Sequence, residues 1–171
     1  VVSFLMGSQR LYDFVDDNPS IYMAPVDYVN HPIIIGQNDN LVSINSSVEV
    51  NLMGEACSEA MGLKQFSGIG GQVDFIRGAS FSKGGRSILA FPSTAKKGTV
   101  SKIVPYLTQG GTVTTSRNDV DYIVTEHGIA KMKGNTLRER ARQLIRIAAP
   151  QFRDGLAEEF ERRFAEKYQE V

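Results

Sequence analysis

The sequence predicts an α/β domain, and three observations carry that prediction. Short apolar runs rich in Val, Ile and Tyr alternate with polar, glycine-bearing connectors through residues 1–125. The last third changes to apolar residues spaced three and four apart, the pattern of amphipathic helices. Midway along the first stretch lies Ser67-Gly68-Ile69-Gly70-Gly71-Gln72, a glycine loop that runs into a short helical pattern. Strands alternating with connectors and finishing in two helices indicate an open sheet flanked by helices.

Residues 1–6 read as a short buried strand. Ser8 stands where it can cap a helix that carries Leu11, Phe14 and Val15 on one face and ends at Asp17-Asn18-Pro19. Residues 21–25 are strand-like, and Asn30-His31-Pro32 makes a turn whose lone histidine is read as solvated rather than as a ligand or acid–base group. The apolar run 33–35 precedes a polar loop, Gln37-Asn38-Asp39-Asn40. Residues 41–53, with Leu41, Ile44, Val48, Val50 and Leu52, are expected to form one long strand. Cys57 is read as a small buried thiol rather than a nucleophile, because no histidine is near it in sequence.

Val73, Phe75, Ile76 and Ala79 fit one or two helical turns directly after the glycine loop. Such a junction leaves backbone N–H groups pointing outward, which suits a phosphate, a carboxylate or a developing oxyanion. The loop is no dinucleotide fingerprint, since Val73 stands where G-x-G-x-x-G needs its third glycine, and no Gly-Lys-Ser/Thr follows to make a P-loop. On spacing alone, a ligand cradle and a plain tight turn both remain open.

Gly84-Gly85-Arg86 is a turn, and 87–91 a buried strand that empties into Pro92-Ser93-Thr94-Ala95-Lys96-Lys97-Gly98. Open α/β sheets place ligands in such loops, and a solvated turn with two surface lysines fits equally well. Strands are expected at 100–107, 111–115 and 121–125. Arg117, Asp119, Asp121 and Glu126 read first as ion-paired surface, with a substrate role second. Thr136 and Glu139 have capping-box spacing and open a helix through Leu137, Ala141, Leu144, Ile145 and Ala148, which Pro150 stops. Leu156, Phe160, Phe164 and Tyr168 step by four through the second helix.

A length of 171 residues suits one domain with a substantial core, and 42% hydrophobic with 22% charged residues is ordinary globular composition. Lys+Arg and Asp+Glu both number 19, and this balance argues against a nucleic acid or an anionic membrane as partner. No apolar run approaches the ~20 residues that span a bilayer. The chain opens Val-Val-Ser-Phe-Leu without Met or a charged leader, so no signal peptide is expected and an upstream part is expected to be missing. One cysteine excludes an internal disulfide and fits a reducing compartment, the cytoplasm.

The run from Phe66 through Gly71-Gln72-Val73-Asp74-Phe75-Ile76-Arg77-Gly78-Ala79 resembles the glycine-loop signature of the acetyl-CoA hydrolase/transferase family. Similar stretches follow the family's order along nearly the whole chain. They are Phe4-Leu5-Met6-Gly7, Leu11-Tyr12-Asp13-Phe14, Gln37-Asn38-Asp39-Asn40, Ser43-Ile44-Asn45-Ser46 and Pro92-Ser93-Thr94-Ala95-Lys96, then Ser101-Lys102-Ile103-Val104-Pro105 and Val113-Thr114-Thr115. The last two are residues 119–128, reading Asp-Val-Asp-Tyr-Ile-Val-Thr-Glu-His-Gly, and Leu137-Arg138-Glu139-Arg140-Ala141. Gly54-Glu55-Ala56-Cys57-Ser58-Glu59 is most similar to the 4-hydroxybutyrate/butyrate CoA-transferase branch.

The resemblance implies the CoA-transferase-type (NagB/RpiA/CoA-transferase) open sheet and the C-terminal domain of a carboxylate CoA-transferase. Coenzyme A and acyl-CoA would be substrates, with no tightly bound cofactor and no metal. The implied partners are a short-chain carboxylate, the protein's own N-terminal domain and further copies, as dimer or tetramer. A glutamate would attack the thioester; in the family it precedes the matched part, and none of Glu49, Glu55, Glu59 or Glu126 stands in its motif. Three positions carry over. Gly71, beside Gly70, would donate its N–H to the thioester carbonyl, Lys96 would meet the CoA phosphate or pantetheine, and Asn30 matches an active-site asparagine. Two departures are Glu55, where Gln is usual, and Ala148-Ala149-Pro150-Gln151, where His-Pro-Asp is common. An acyl-CoA hydrolase of the same family and a non-catalytic CoA-binding or assembly domain stay open beside the transferase.

Overall fold

A computed structural model describes residues 1–169. The first 36 residues carry three short helices, α1 (Gln9–Val15), α2 (Val26–Val29) and α3 (Pro32–Gly36). Ser8 is the N-cap of α1 by position but makes no side-chain cap, and α1 buries no residue. The strands expected at 1–6 and 21–25 shrink to one bridge, Val2 to Met23, and Phe4 and Met6 are exposed. Apolar content alone suggested those strands; pairing partners on both sides are what they lack.

The expected strand at 41–53 divides in two. β1 (Val42–Asn45) and β2 (Glu49–Asn51) join different sheets, because Ser46-Ser47 breaks the run and β2 turns away to pair elsewhere. β3 (Ala56–Cys57), β4 (Ala60–Met61) and β5 (Lys64–Gln65) follow, then α4 (Gln72–Phe81) and β6 (Arg86–Ala90). β7 (Thr94–Ala95) and β8 (Val100–Ser101) form a hairpin, followed by β9 (Ile103–Val104). β10 (Tyr122–Thr125) and β11 (Gly128–Lys131) pair antiparallel before α5 (Leu137–Ile147) and α6 (Pro150–Phe164). Residues 111–115 form no strand; they hold one bridge, Ala56 to Thr115.

The principal sheet has the order β1-β6-β10-β11, with the first three parallel. One face carries Ser43, Ser87, Leu89, Ile123, Thr125 and Ala130, all buried. α4 and α5 pack on that face through Ile76, Ala141, Leu144 and Ile145, members of the core cluster, with Ala79 also buried. The second sheet, β3-β2-β9, adds Val50 and Ile103 to the same core.

The capping box at α5 is present: Glu139 N–H donates to the Thr136 hydroxyl and Thr136 N–H to the Glu139 carboxylate. Pro150 starts α6 rather than only ending α5, as its missing N–H permits at a first helical turn. α6 ends at Phe164 with Ala165 left-handed, yet Tyr168 still meets Phe160 edge-on at 5.6 Å between ring centres. Its four-residue step therefore reflects a returning tail and not helix.

Candidate active site

α4 precedes β6 through a tight turn and packs against β6 and β1, so it runs antiparallel to them. Its N-terminus, with the glycine loop, therefore lies at the carboxyl ends of the parallel strands, where open α/β sheets form crevices. The loops after β6 and β10 reach the same end.

Gly71 is the N-cap of α4 at φ −95° and ψ 8°, a conformation open to any residue. What forbids a side chain is Asn30: its amide nitrogen occupies the space a Gly71 Cβ would take. α2 ends at Asn30, Pro32 restarts the chain as α3, and α3 lies along α4, which sets the Asn30 amide against the loop. That amide nitrogen therefore stands beside Gly71, at the end of α4 whose first-turn N–H groups have no acceptor within the helix. Gln72 ties the helix start to Thr115, Nε2 to Oγ1, at 2.9 Å. Gly70 is the loop residue with positive φ, +61°, and Gly68 has neither positive φ nor a close neighbour.

Lys96 and Lys97 occupy the β7–β8 turn, both exposed and both left-handed at φ +48° and +57°. The Gly98 carbonyl of this turn accepts from Gln151 Nε2 at 3.2 Å, so Gln151 of the departing Ala-Ala-Pro-Gln segment braces the lysine turn. Below it, Glu126 accepts from Ser93 N–H at 2.7 Å and from Ser93 Oγ at 2.6 Å. Burial raises the Glu126 pKa, but the Ser93 bonds outweigh it and hold the carboxyl below its usual value; His127, with Nε2 at 3.6 Å, adds to the same direction. Lys102 is pulled down by burial, partly offset by Glu126, and its ammonium lies 4.8 Å from the Phe91 ring centre.

Asn30 and Gly71 thus come together, while Lys96 sits on another loop at the same end of the sheet. Several carboxylates among the described residues are committed to partners. Glu49 holds Thr108 through N–H at 2.7 Å and Oγ1 at 2.8 Å, and Glu55 holds Asn51 Nδ2 at 2.8 Å. Arg77 pairs with Asp119 at 3.1 Å, in keeping with the ion-paired reading of that charge group. Glu59 accepts from Thr112 at 2.9 Å, with its second oxygen buried and unpartnered. Cys57 is fully buried and hydrogen-bonded to the Ala60 carbonyl at 3.2 Å, a packing role. The Ser93–Glu126 clamp escaped the sequence reading; nothing in a 33-residue separation signals that the two meet.

The family model for the acetyl-CoA hydrolase/transferase C-terminal domain matches residues 7–160. The 4-hydroxybutyrate coenzyme A transferase of Clostridium kluyveri is 63% identical over 164 residues, 96% of this chain and 38% of that protein. The succinyl-CoA:cyclohexane-1-carboxylate CoA transferase of Geobacter metallireducens is 56% identical, across 92% of this chain and 36% of that one. A crystal structure of 4-hydroxybutyrate CoA-transferase from Porphyromonas gingivalis superposes with a TM-score of 0.80 at 55% identity, covering 96% of this chain and 38% of that one. The chain therefore spans little more than a third of the length of these relatives.

Proposed function

This chain belongs to the acetyl-CoA hydrolase/transferase family, whose C-terminal domain it matches, and on that premise we propose that it is part of a carboxylate CoA-transferase. The observation that carries the reading is the Asn30 amide standing against Gly71 at the N-terminus of α4. These donors would hold the thioester oxygen as it becomes an oxyanion. A glutamate from outside these residues would attack the carbonyl, expelling CoA thiolate and leaving an acyl–glutamyl anhydride. The thiolate then attacks the glutamyl carbonyl, releasing the first carboxylate and forming a glutamyl-CoA thioester, which the incoming carboxylate reverses.

Lys96, exposed at the tip of its turn, would meet a phosphate of CoA as a point charge. Gly70 supplies the left-handed step that presents the Gly71 amide. The substrates would be an acyl-CoA and a short carboxylate of the acetate, butyrate or 4-hydroxybutyrate type. The reading includes no tightly bound cofactor, a homo-oligomer that includes the protein's own N-terminal domain, and a cytoplasmic setting in which Cys57 stays a free thiol. Among the described residues no helix is long and apolar enough to cross a membrane.

The test uses the long form, this chain joined to the remaining length its relatives have. It should show ping-pong transfer of CoA from butyryl-CoA to acetate, and borohydride should inactivate it only after exposure to acyl-CoA. Residues 1–171 alone should show no turnover. Turnover by that fragment would put the nucleophile within it, and thiol release without an acceptor carboxylate would make the protein a hydrolase.

A further inference from the structure

Three arginines stand in one row on α5. Arg138, Arg142 and Arg146 are spaced four apart, which brings them to one helix face and sets like charges side by side. Such a row opposes the helix unless anions offset it. The first two share one carboxylate: Glu166, in the tail after α6, pairs with Arg138 at 3.1 Å and with Arg142. Phe164 and Phe160 hold the same two cations, with ring centres 5.5 and 5.0 Å from the guanidinium carbons. Arg142 is the deeper of the two, its side chain 20% exposed against 54% for Arg138. Glu166 takes one of its terminal nitrogens and not the whole fork. Its Nε is buried without a hydrogen-bond partner among the described residues, a costly state for a charged donor.

Arg142 and Arg146 also line a cavity of about 410 Å³, completed by Asn135, Glu139, Gln143 and Tyr168 of the returning tail. The edge strand β11 orients the two amides. Lys131 N–H donates to Gln143 Oε1 at 2.7 Å, and Asn135 Nδ2 donates to the Lys131 carbonyl at 2.8 Å. With its oxygen engaged, the Gln143 amide has its NH₂ donors to offer. Glu139, the acid of the lining, is turned onto Thr136 by the capping box at 2.9 Å. The lining therefore sets two guanidiniums and an amide donor against one carboxylate that is already engaged.

We propose that this cavity binds a small organic anion with a carboxylate or phosphate head, held by Arg142, Arg146 and the Gln143 amide. Arginine forks suit both heads, because each offers two oxygens at matching separation. A volume of about 410 Å³ lies in the range of small-molecule sites and exceeds what a bare inorganic ion fills. The head thus carries an organic body, for which Tyr168 provides an aromatic wall. The site is separate from the crevice at the glycine loop. β11 runs antiparallel to β10, so α5 begins at the far end of the sheet. Its last turn alone comes up to that crevice's end, where the Ile147 carbonyl accepts from Thr125 Oγ1 at 2.6 Å. The site stands whether or not the CoA-transferase reading holds.

Arginine modification of the long form tests it, with inorganic phosphate and malonate as probes. At a probe concentration ten times its dissociation constant, phenylglyoxal should modify Arg142 and Arg146 about tenfold more slowly. Arg10, exposed on α1, should react at an unchanged rate, as peptide mass spectrometry would measure. Protection by phosphate alone assigns a phosphate head, and protection by malonate alone a carboxylate head. Calorimetric titration should show saturable binding that Arg142→Gln weakens about tenfold or more, the loss expected for a charge-assisted hydrogen bond. Arg142→Lys should weaken it less, since the charge stays and the fork goes. Lys96→Ala should leave it unaltered. Equal modification with and without both probes overturns the proposal. So does binding that Lys96→Ala abolishes and Arg142→Gln spares, which moves the anion to the lysine turn. Should Arg142→Gln fail to fold, protection of the wild-type protein decides.

Discussion

The glycine loop and the loop from Ser93 to Lys97 reach the same end of the sheet but are held in opposite ways. The first depends on a missing side chain, since Gly71 leaves just enough room for the Asn30 amide. The second depends on a side chain that is present, the Glu126 carboxylate that grips Ser93 through two hydrogen bonds. A site built on close approach fails when anything is added, and a site built on a clamp fails when something is removed. The two therefore respond to different substitutions, and each can be broken without the other.

The largest effect is expected at Gly71. Gly71→Ala in the long form should displace the Asn30 amide, lowering kcat by at least tenfold and up to the ~10²–10³ typical of a lost oxyanion donor. Its Tm should move only a few degrees, because φ −95° suits alanine and the colliding atom is a side-chain end. In an Asn30→Ala background the same change should cost much less, since the collision is gone; additive effects in that cycle would break the pairing.

Next comes the clamp. Glu126→Gln keeps one acceptor for Ser93 and loses the charge, so the Km for acyl-CoA should rise several-fold while the carboxylate Km stays put. The Glu126 pKa is lowered on folding, so its stabilisation is present above the unfolded value of about 4.3 and disappears as pH falls through the lower folded value. Half of the side chain is exposed, which keeps that term small. Acid unfolding of Glu126→Gln should accordingly start from a lower plateau and lose less below pH ~4. Identical acid limbs would remove Glu126 from the fold's electrostatics.

Lys96→Ala is expected to act more weakly, raising the acyl-CoA Km a few-fold and flattening its salt dependence, with kcat nearly unchanged. An unaltered Km would return the turn to ordinary solvated surface. Smallest are the neighbouring glycines. Gly70→Ala should cost roughly 1 kcal/mol for its positive φ, and Gly68→Ala almost nothing, as chemical denaturation would measure. A large loss at Gly68 would mean the loop closes on something in the long form.

Much of this molecule was legible beforehand. Local chemistry determined α4, the capped α5 and β10, because periodicity, a capping box and β-branched runs act within a few residues. Motif order along the chain likewise pointed to the family, and offered Asn30 and Gly71 as candidates without revealing that they touch. The tertiary structure decided what depends on distant partners. It split residues 41–53 between two sheets and left 1–6 almost unpaired. It set Asn30 against Gly71 and Ser93 on Glu126, and turned Tyr168 back onto Phe160. The physical reason is shared. An apolar strand pattern states that one face will be buried but not which strand or helix will bury it, and a glycine states that room is needed but not for what.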